Sequence, residues 1–330
     1  MVHTLKRTKH RHRGMIIKID LEKACDRVDW SFLRQTLSFF NIPESVLRLI
    51  MFCVTSINSK VLWNGEALPV FSTTCGLRQG DPLSPYLFML CMECLAYLIN
   101  EAVSSKKWDP LEVCRREPKF SHLFFADDLI LMAKATNENA TSIKGILMKF
   151  YRSSGLVTNL GKSRVYFSRS LNWNLQRRIA STLGLARTLD LGKYLGVPIH
   201  HGRVSPSLYR PLIEKIQSCL STWKAKFLNM AARATLIQSV ISTMPFHVMH
   251  TVLFSPGTCN SLDKINRTFL WAGDGNTRKL HTVGWSKIIQ GKEVGGLDAA
   301  VGELSLGLVA LSFGLVGEIL FVLLLLPQVL

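Results

Sequence analysis

The chain has 330 residues, with 40 Lys and Arg against 23 Asp and Glu for a formal net charge of +17, and a pI near 9.7. That length suits one large domain or two ordinary ones with a real core, and that charge suits a polyanionic partner such as nucleic acid or an anionic membrane. The basic residues are spread along the chain and interleaved with Trp, Tyr and Phe, which excludes a histone-like tail as their source, and the eight Cys have no regular spacing, which argues for free thiols rather than a disulfide framework.

Residues 1–14 form a basic N-terminal segment to which the sequence assigns no role. Met15 to Asp20 is predicted as a β-branched strand that ends on a carboxylate. Ser31 is placed to cap a helix carrying Leu33, Leu37 and Phe40, and Pro43 opens a second helix over Val46, Leu47, Ile50 and Val54. Asn64-Gly65 is a two-residue hairpin signal, expected to extend a sheet. From Cys75 to Pro85 runs a glycine-punctuated loop with close backbone approach expected at Gly76 and Gly80. Ser84 and Pro85 then fit the N-cap and N1 positions of a helix reaching about Glu101. That helix is apolar nearly all round, and with Glu93 interrupting it we read a buried core helix rather than a membrane span. Cys91 and Cys94 within it read as core cysteines, not a zinc pair.

Residues 103–120 are a polar connector. Next comes a hairpin whose two apolar runs flank Ala126, Asp127 and Asp128. In a straight strand adjacent side chains point to opposite faces, so two neighbouring carboxylates require the backbone to turn if neither is to enter the core. A helix from about Asn139 to Ser153 ends at Gly155. Gly161-Lys162-Ser163 lacks the upstream glycine and the strand-to-helix setting of a phosphate loop, and it precedes a strand over Arg164 to Ser168. Lys193 to Ile199 is a further strand pattern. The composition turns helical near residue 202, with Ser205-Pro206 and Ser255-Pro256 as start signals, and His247 and His250 read as ordinary histidines.

A sheet could set the strand end at Asp20 beside the hairpin tip at Asp127 and Asp128. Three carboxylates are then suited to share two Mg²⁺ (or Mn²⁺) ions, since hard cations take oxygen ligands and a two-metal clamp serves in-line displacement at phosphorus.

The segments Ile17 to Trp30, Gly76 to Pro85, Phe125 to Asp128, Gly161 to Ser163 and Tyr194 to Pro198 resemble, in order and spacing, successive motifs of reverse transcriptases from plant LINE-type (non-LTR) retrotransposons. The likeness covers about residues 3 to 297. It implies an α+β right-hand polymerase palm over residues 15–202, an antiparallel sheet with packed helices, followed by a helical thumb-like region over residues 203–297. By the same resemblance Asp20, Asp127 and Asp128 bind the metals, and Lys162 matches the position proposed to donate a proton to leaving pyrophosphate. Arg78, Gln79 and Gly80 face the incoming nucleotide and template. Tyr194, Leu195 and Gly196 form the primer grip. Implied partners are an RNA template, a DNA primer and deoxynucleoside triphosphates.

Three departures qualify the match. The chain begins almost at the first palm motif, so a fragment without fingers or endonuclease is expected, weak or inactive by itself. Cys25 stands where the family usually has an aromatic residue that walls off the ribose 2′ hydroxyl. Residues 298–330 are an apolar tail without family resemblance. Leu304 to Leu326 is long enough to span a bilayer with Glu318 as its only charge, yet lacks an adjoining positive flank, so a degenerate end is the preferred reading. Two alternatives remain: a membrane-anchored protein and a non-catalytic nucleic-acid-binding relic. Localisation is left open, nuclear or cytoplasmic in the family role and membrane if the tail inserts.

Overall fold

The computed structural model describes residues 13–112, 119–199, 209–221, 227–249, 254–272, 283–288 and 290. β1 (Gly14–Asp20) leads into a short helix, α1 (Ala24–Arg27). α2 (Trp30–Phe39) is capped by Asp29, whose carboxylate accepts the backbone N–H groups of Ser31 and Phe32 at 2.8 and 3.0 Å. The cap thus falls two residues before the expected Ser31, because Asp29 already combines extended backbone with an acceptor oxygen. α3 (Glu44–Thr55) starts after Pro43 and buries Leu47 and Val54, while Val46 stays exposed.

Four two-residue strands follow: β2 (Asn58–Ser59), β3 (Leu62–Trp63), β4 (Glu66–Ala67) and β5 (Phe71–Ser72). Asn64 and Gly65, at φ 50° and 90°, make the expected tight turn between β3 and β4. The pairs β3–β4 and β2–β5 are nevertheless separate ribbons and do not extend the main sheet. Their residues are mostly exposed, so no buried face fixes them to it.

α4 (Ser84–Ser104) begins on Ser84 itself with Leu83 at the cap, and the Asp81 carboxylate accepts the Leu83 N–H at 2.9 Å. Leu87, Cys91, Leu95 and Ile99 line its core side, whereas Tyr86, Met89 and Tyr97 are exposed. By length and composition it is the one helix among the described residues able to cross a membrane, yet its four-residue apolar spacing is used up in the core. Burial pushes the Cys91 thiol up to about 12, and Cys94 Sγ lies 3.5 Å from the Thr36 hydroxyl, so both are core cysteines.

The remaining elements of the first unit are β6 (Leu111–Glu112), β7 (Lys119–Phe120), β8 (His122–Phe125), β9 (Asp128–Lys134), α5 (Asn137–Ser154), β10 (Arg164–Phe167), α6 (Trp173–Leu183), β11 (Ala186–Thr188) and β12 (Lys193–Tyr194). Thr136 caps α5 by accepting the Asn139 N–H at 3.2 Å, and Gly155 at φ 75° ends it.

The main sheet has the order β11-β10-β1-β9-β8. All neighbours run antiparallel except β10 and β11, which are parallel. The sheet is therefore mixed and not antiparallel as the sequence led us to expect. The difference comes from α6, a crossover helix that lets the chain return in the same direction. Alternation divides β1 cleanly: Met15, Ile17 and Ile19 join the helices in the larger core, and Ile16 packs on the opposite face with Ile130, Met132, Tyr166, Leu111 and Leu191.

The described residues fall into two compact units, the first running to Leu195 and including Ile199, the second comprising Gly196–Pro198 and residues beyond 203. The second holds β13 (Val197–Pro198), α7 (Arg210–Ser221), α8 (Met230–Leu236) continuing as a π-helix over Ile237–Ile241, α9 (Phe246–Met249), α10 (Pro256–Ala272) and α11 (Trp285–Ile288). Its core includes Tyr209, Ile216, Ile237, Met249, Leu262 and Phe269. The basic run before Arg13, Ser205-Pro206, Trp223, His250 and the tail from Asp298 lie outside the described residues.

Candidate active site

β1 ends on Asp20, β9 begins on Asp128, and the register makes these two residues cross-strand partners. Such partners hold their Cα atoms about 4.5–5.5 Å apart. Both occupy the register of Ile16 and Ile130, so they belong to the sheet face away from the helices. Ala126 and Asp127 form the two-residue turn joining β8 to β9, with Ala126 at φ 51°. The turn anticipated from the paired acids is thus present, and it frees Asp127 from the ladder.

The corner is electrostatically shared. Burial raises the Asp128 carboxyl above the usual carboxylate value, the Lys18 ammonium works against that, and the charges of Asp127 and Asp20 add to it. Lys18 lies two residues before Asp20 on the same strand face and donates a hydrogen bond to the Lys193 carbonyl. The next residue, Tyr194, has its phenol pushed up to about 12 by burial and by Asp128. Leu195 at φ 51° and Gly196 at φ 79° then turn the chain.

Lys162 Nζ approaches Asp20 Oδ2 to 3.7 Å, with the lysine side chain 72% exposed. An exposed pair of this kind contributes about 1 kcal/mol at most, which leaves the ammonium free to change partners. Below it, the Asp20 N–H donates to Ser163 Oγ at 3.0 Å and the Asp20 carbonyl accepts the Asn159 N–H at 2.8 Å. Asn159 Oδ1 also accepts the Lys162 N–H at 3.2 Å. The Gly-Lys-Ser segment is therefore a bracket on the end of β1.

The loop after Cys75 is fastened to the α1 region. Gly76 N–H donates to the Val28 carbonyl at 2.8 Å, Leu77 N–H to the Cys25 carbonyl at 2.7 Å, and the Trp30 indole N–H to the Gly76 carbonyl at 2.8 Å. Gln79 Nε2 donates to Asp26 Oδ1 at 3.1 Å. At Gly76, φ 91°, an added Cβ would lie 2.6 Å from the Asp26 carbonyl oxygen, whereas at Gly80, φ 87°, it would meet nothing within 4 Å. The close approach expected at both glycines occurs only at Gly76; Gly80 is needed for its backbone angle alone. Cys25 is half-buried, and its thiol is raised by burial and then by Asp127 and Asp26, which puts it within electrostatic reach of the hairpin tip. Arg78 and Gln79 line a cleft of about 350 Å³ with Asp26, Ile57, Thr73 and Cys75; Asp20, Asp127 and Asp128 are not among its lining residues.

Among the described residues no group of three or more His, Cys, Asp and Glu side chains is already arranged to hold a metal ion. The donor set still suits Mg²⁺, which is ordinarily held by one or two carboxylates together with substrate phosphates rather than by a complete protein cage. Asp20 and Asp128 supply the carboxylates on adjacent strands, and Asp127 supplies a third from the turn.

Of the residues singled out in the sequence, the fold gathers Asp20, Asp127, Asp128 and Lys162, with Cys25 and Tyr194 in electrostatic reach. Arg78, Gln79 and Gly80 belong to the neighbouring loop, and Leu195 and Gly196 to a turn. Sequence reasoning missed Lys18, Asp26, Asn159 and Ser163. For Lys18 a signal existed, since it lies two residues before Asp20 and so shares its face; Asp26 and Asn159 act across long sequence separations and left none.

A family model for reverse transcriptase (RNA-dependent DNA polymerase) matches residues 2–199. An Arabidopsis thaliana protein that carries a ribonuclease H name is 38% identical over 101 residues, which is 31% of this chain and 16% of that protein. A retrovirus-related Pol polyprotein from the type-1 retrotransposable element R2 of Popillia japonica is 25% identical over 205 residues, 59% of this chain and 32% of that protein. A Transposon TX1 protein of Xenopus laevis is 27% identical over 280 residues, 78% of this chain and 19% of that protein. The chain thus spans under a third of the length of each of these three relatives. With the family match covering more than half of its residues, the chain belongs to the reverse transcriptase family.

Proposed function

We propose that this chain carries out RNA-directed DNA synthesis by metal-assisted nucleotidyl transfer, adding deoxynucleotides to a DNA primer along an RNA template. The observation that carries the reading is the cross-strand pairing of Asp20 with Asp128 beside the turn residue Asp127. In it Asp20 and Asp127 would hold both ions, with Asp128 completing the cluster. Two bound Mg²⁺ (or Mn²⁺) ions would supply Lewis-acid activation of the primer hydroxyl and neutralise charge on the leaving pyrophosphate.

The chain's own groups then have separate tasks. Lys162, weakly paired at the edge of the corner, brings an ammonium that neutralises the departing pyrophosphate and gives it a proton. Lys18 favours the ionised form of Asp128 against its neighbours. Arg78, Gln79 and Gly80 lie against nucleotide and template, with Gln79 oriented by Asp26. Cys25 borders the sugar. Tyr194, Leu195 and Gly196 grip the primer, and the helical unit beyond residue 203 serves as the thumb.

Primer extension on poly(rA) with an oligo(dT) primer, dTTP and Mg²⁺ or Mn²⁺ tests the reading. At most weak extension by the chain, and none by Asp127→Asn, is expected. RNA binding without extension by the unaltered chain would overturn it in favour of a non-catalytic nucleic-acid-binding protein.

A further inference from the structure

Residues 139–189 contain nine Lys and Arg and no Asp or Glu. They build α5, β10, α6 and β11, with α5 and α6 packed against one another. Lys162, paired with Asp20, and Arg164, in register with Lys18, belong to the acid-corner side, and the other seven have no acid within the segment. Every one of those nine side chains except Arg164 is exposed. Among the described residues Arg177, Arg178 and Arg187 take part in no ion pair. At the start of α6 an exposed indole, Trp173, is covered by the Arg187 guanidinium 4.3 Å from its ring centroid. Arg177 lies one helical turn further along the same face. Arg187 is in register with Val165, a residue of the helix-side core, whereas Asp20 and Asp128 belong to the other sheet face. The cationic flank and the acid corner are therefore different surfaces.

We infer that this flank docks a single strand of RNA, with Trp173 as a stacking platform and Arg177, Arg178 and Arg187 on the phosphates. A single strand fits better than a duplex because its bases are open to stack on an indole, and a groove of guanidinium groups follows the backbone between them. The strand is RNA because the chain belongs to a family of RNA-dependent DNA polymerases. The surface depends on nucleic-acid binding but not on the polymerase chemistry proposed above.

The test uses the full 330-residue chain and a fluorescein-labelled single-stranded RNA of about 20 nucleotides, longer than one ordinary strand-binding site, with anisotropy followed over a salt series. Arg177→Gln with Arg178→Gln should flatten the slope of log K against log salt by about 1.4, about 0.7 for each phosphate no longer neutralised. Lys106→Gln with Lys107→Gln removes the same charge from exposed positions elsewhere and should change it far less. Trp173→Ala should weaken binding about tenfold with the slope unchanged, and Trp173→Phe should keep most of the affinity. Equal effects of the two charge pairs, or full affinity in Trp173→Ala, would overturn the inference. So would binding to phosphatidylserine vesicles through these arginines with RNA binding untouched. Asp127→Asn separates the two proposals, since it should abolish extension and leave RNA binding in place; a chain that never extends a primer but shows the Trp173 and arginine effects supports this surface while refuting the polymerase reading.

Discussion

On one side of the acid corner the segment from Cys25 to Trp30 is held from two directions. The 76–79 loop donates to it and accepts from it, the Asp29 N–H donates to the Ser154 carbonyl at 2.9 Å, and two glycines press on its backbone: Cβ atoms at Gly76 and Gly155 would lie 2.6 Å from the carbonyl oxygens of Asp26 and Arg27. On the other side the hairpin tip is open, with Phe125 61% and Leu123 50% exposed next to Asp127. The contrast separates two tasks. Backbone hydrogen bonds and close packing fix where Asp20 and Cys25 stand before any ligand arrives, while the tip keeps carboxylates whose charges act on one another and on which the Lys18 ammonium acts in the opposite sense.

Changes at the open side should cost activity and spare the fold. Asp127→Asn is expected to lower primer extension by at least about 100-fold, the scale of several kcal/mol of lost charge stabilisation, with an unchanged denaturant midpoint. A fall in stability instead would make Asp127 part of the clamp. The converse holds at Gly76. Gly76→Ala must both adopt a left-handed backbone and push the Asp26 carbonyl away, and should cost about 2–4 kcal/mol in denaturant unfolding. Gly80→Ala has the same strain with open space around it and should cost about 1 kcal/mol. Equal losses would mean that contact with Asp26 is not what Gly76 provides.

Cys25 stands on the boundary of the two sides, carried by the clamp and within reach of Asp127. A thiol is a small wall against a ribose 2′ hydroxyl. Cys25→Tyr should therefore raise the preference for deoxy- over ribonucleotides about tenfold, a clash of about 1.4 kcal/mol, measured as the ratio of incorporation efficiencies. An unchanged ratio would remove Cys25 from the sugar site. The smallest expected effect is at the α2 cap. Hydrogen bonds from the Ser31 side chain and the Phe32 N–H hold the Asp29 carboxyl below its ordinary value. Its stabilisation is then present above the ordinary carboxylate range and lost as pH falls through the lowered value. Asp29→Ala should cost about 1 kcal/mol at neutral pH, and the difference from the unaltered chain should shrink in acid. A penalty that persists at low pH would point to packing instead of the carboxylate.

What was legible in the sequence follows from how local each feature is. The strand ending on Asp20, the turn at Ala126 and Asp127, the Asn64-Gly65 hairpin and the stop at Gly155 are set by alternation, by adjacent acids that cannot both enter a core and by positive backbone angles. The parallel β10–β11 pair was not legible, because strand direction depends on where a crossover helix returns the chain. Nor was the difference between Gly76 and Gly80, which share a loop and a positive φ and differ only in what lies opposite. Lys18 could have been found by counting two residues back from Asp20. Asp26 and Asn159 could not, since their partners are set by docking between distant segments.

The proposed polymerase chemistry requires that carboxylates from two neighbouring strands and the turn beside them close on shared divalent cations. Mn²⁺ binding followed by electron paramagnetic resonance, in the presence of primer, template and a nonhydrolysable deoxynucleoside triphosphate, tests it without requiring turnover. Protein-dependent Mn²⁺ binding beyond that of the triphosphate alone is expected, with Asp20→Asn and Asp127→Asn each losing it although one lies at the end of β1 and the other in the turn between β8 and β9. Binding that is equally strong in both variants would contradict it.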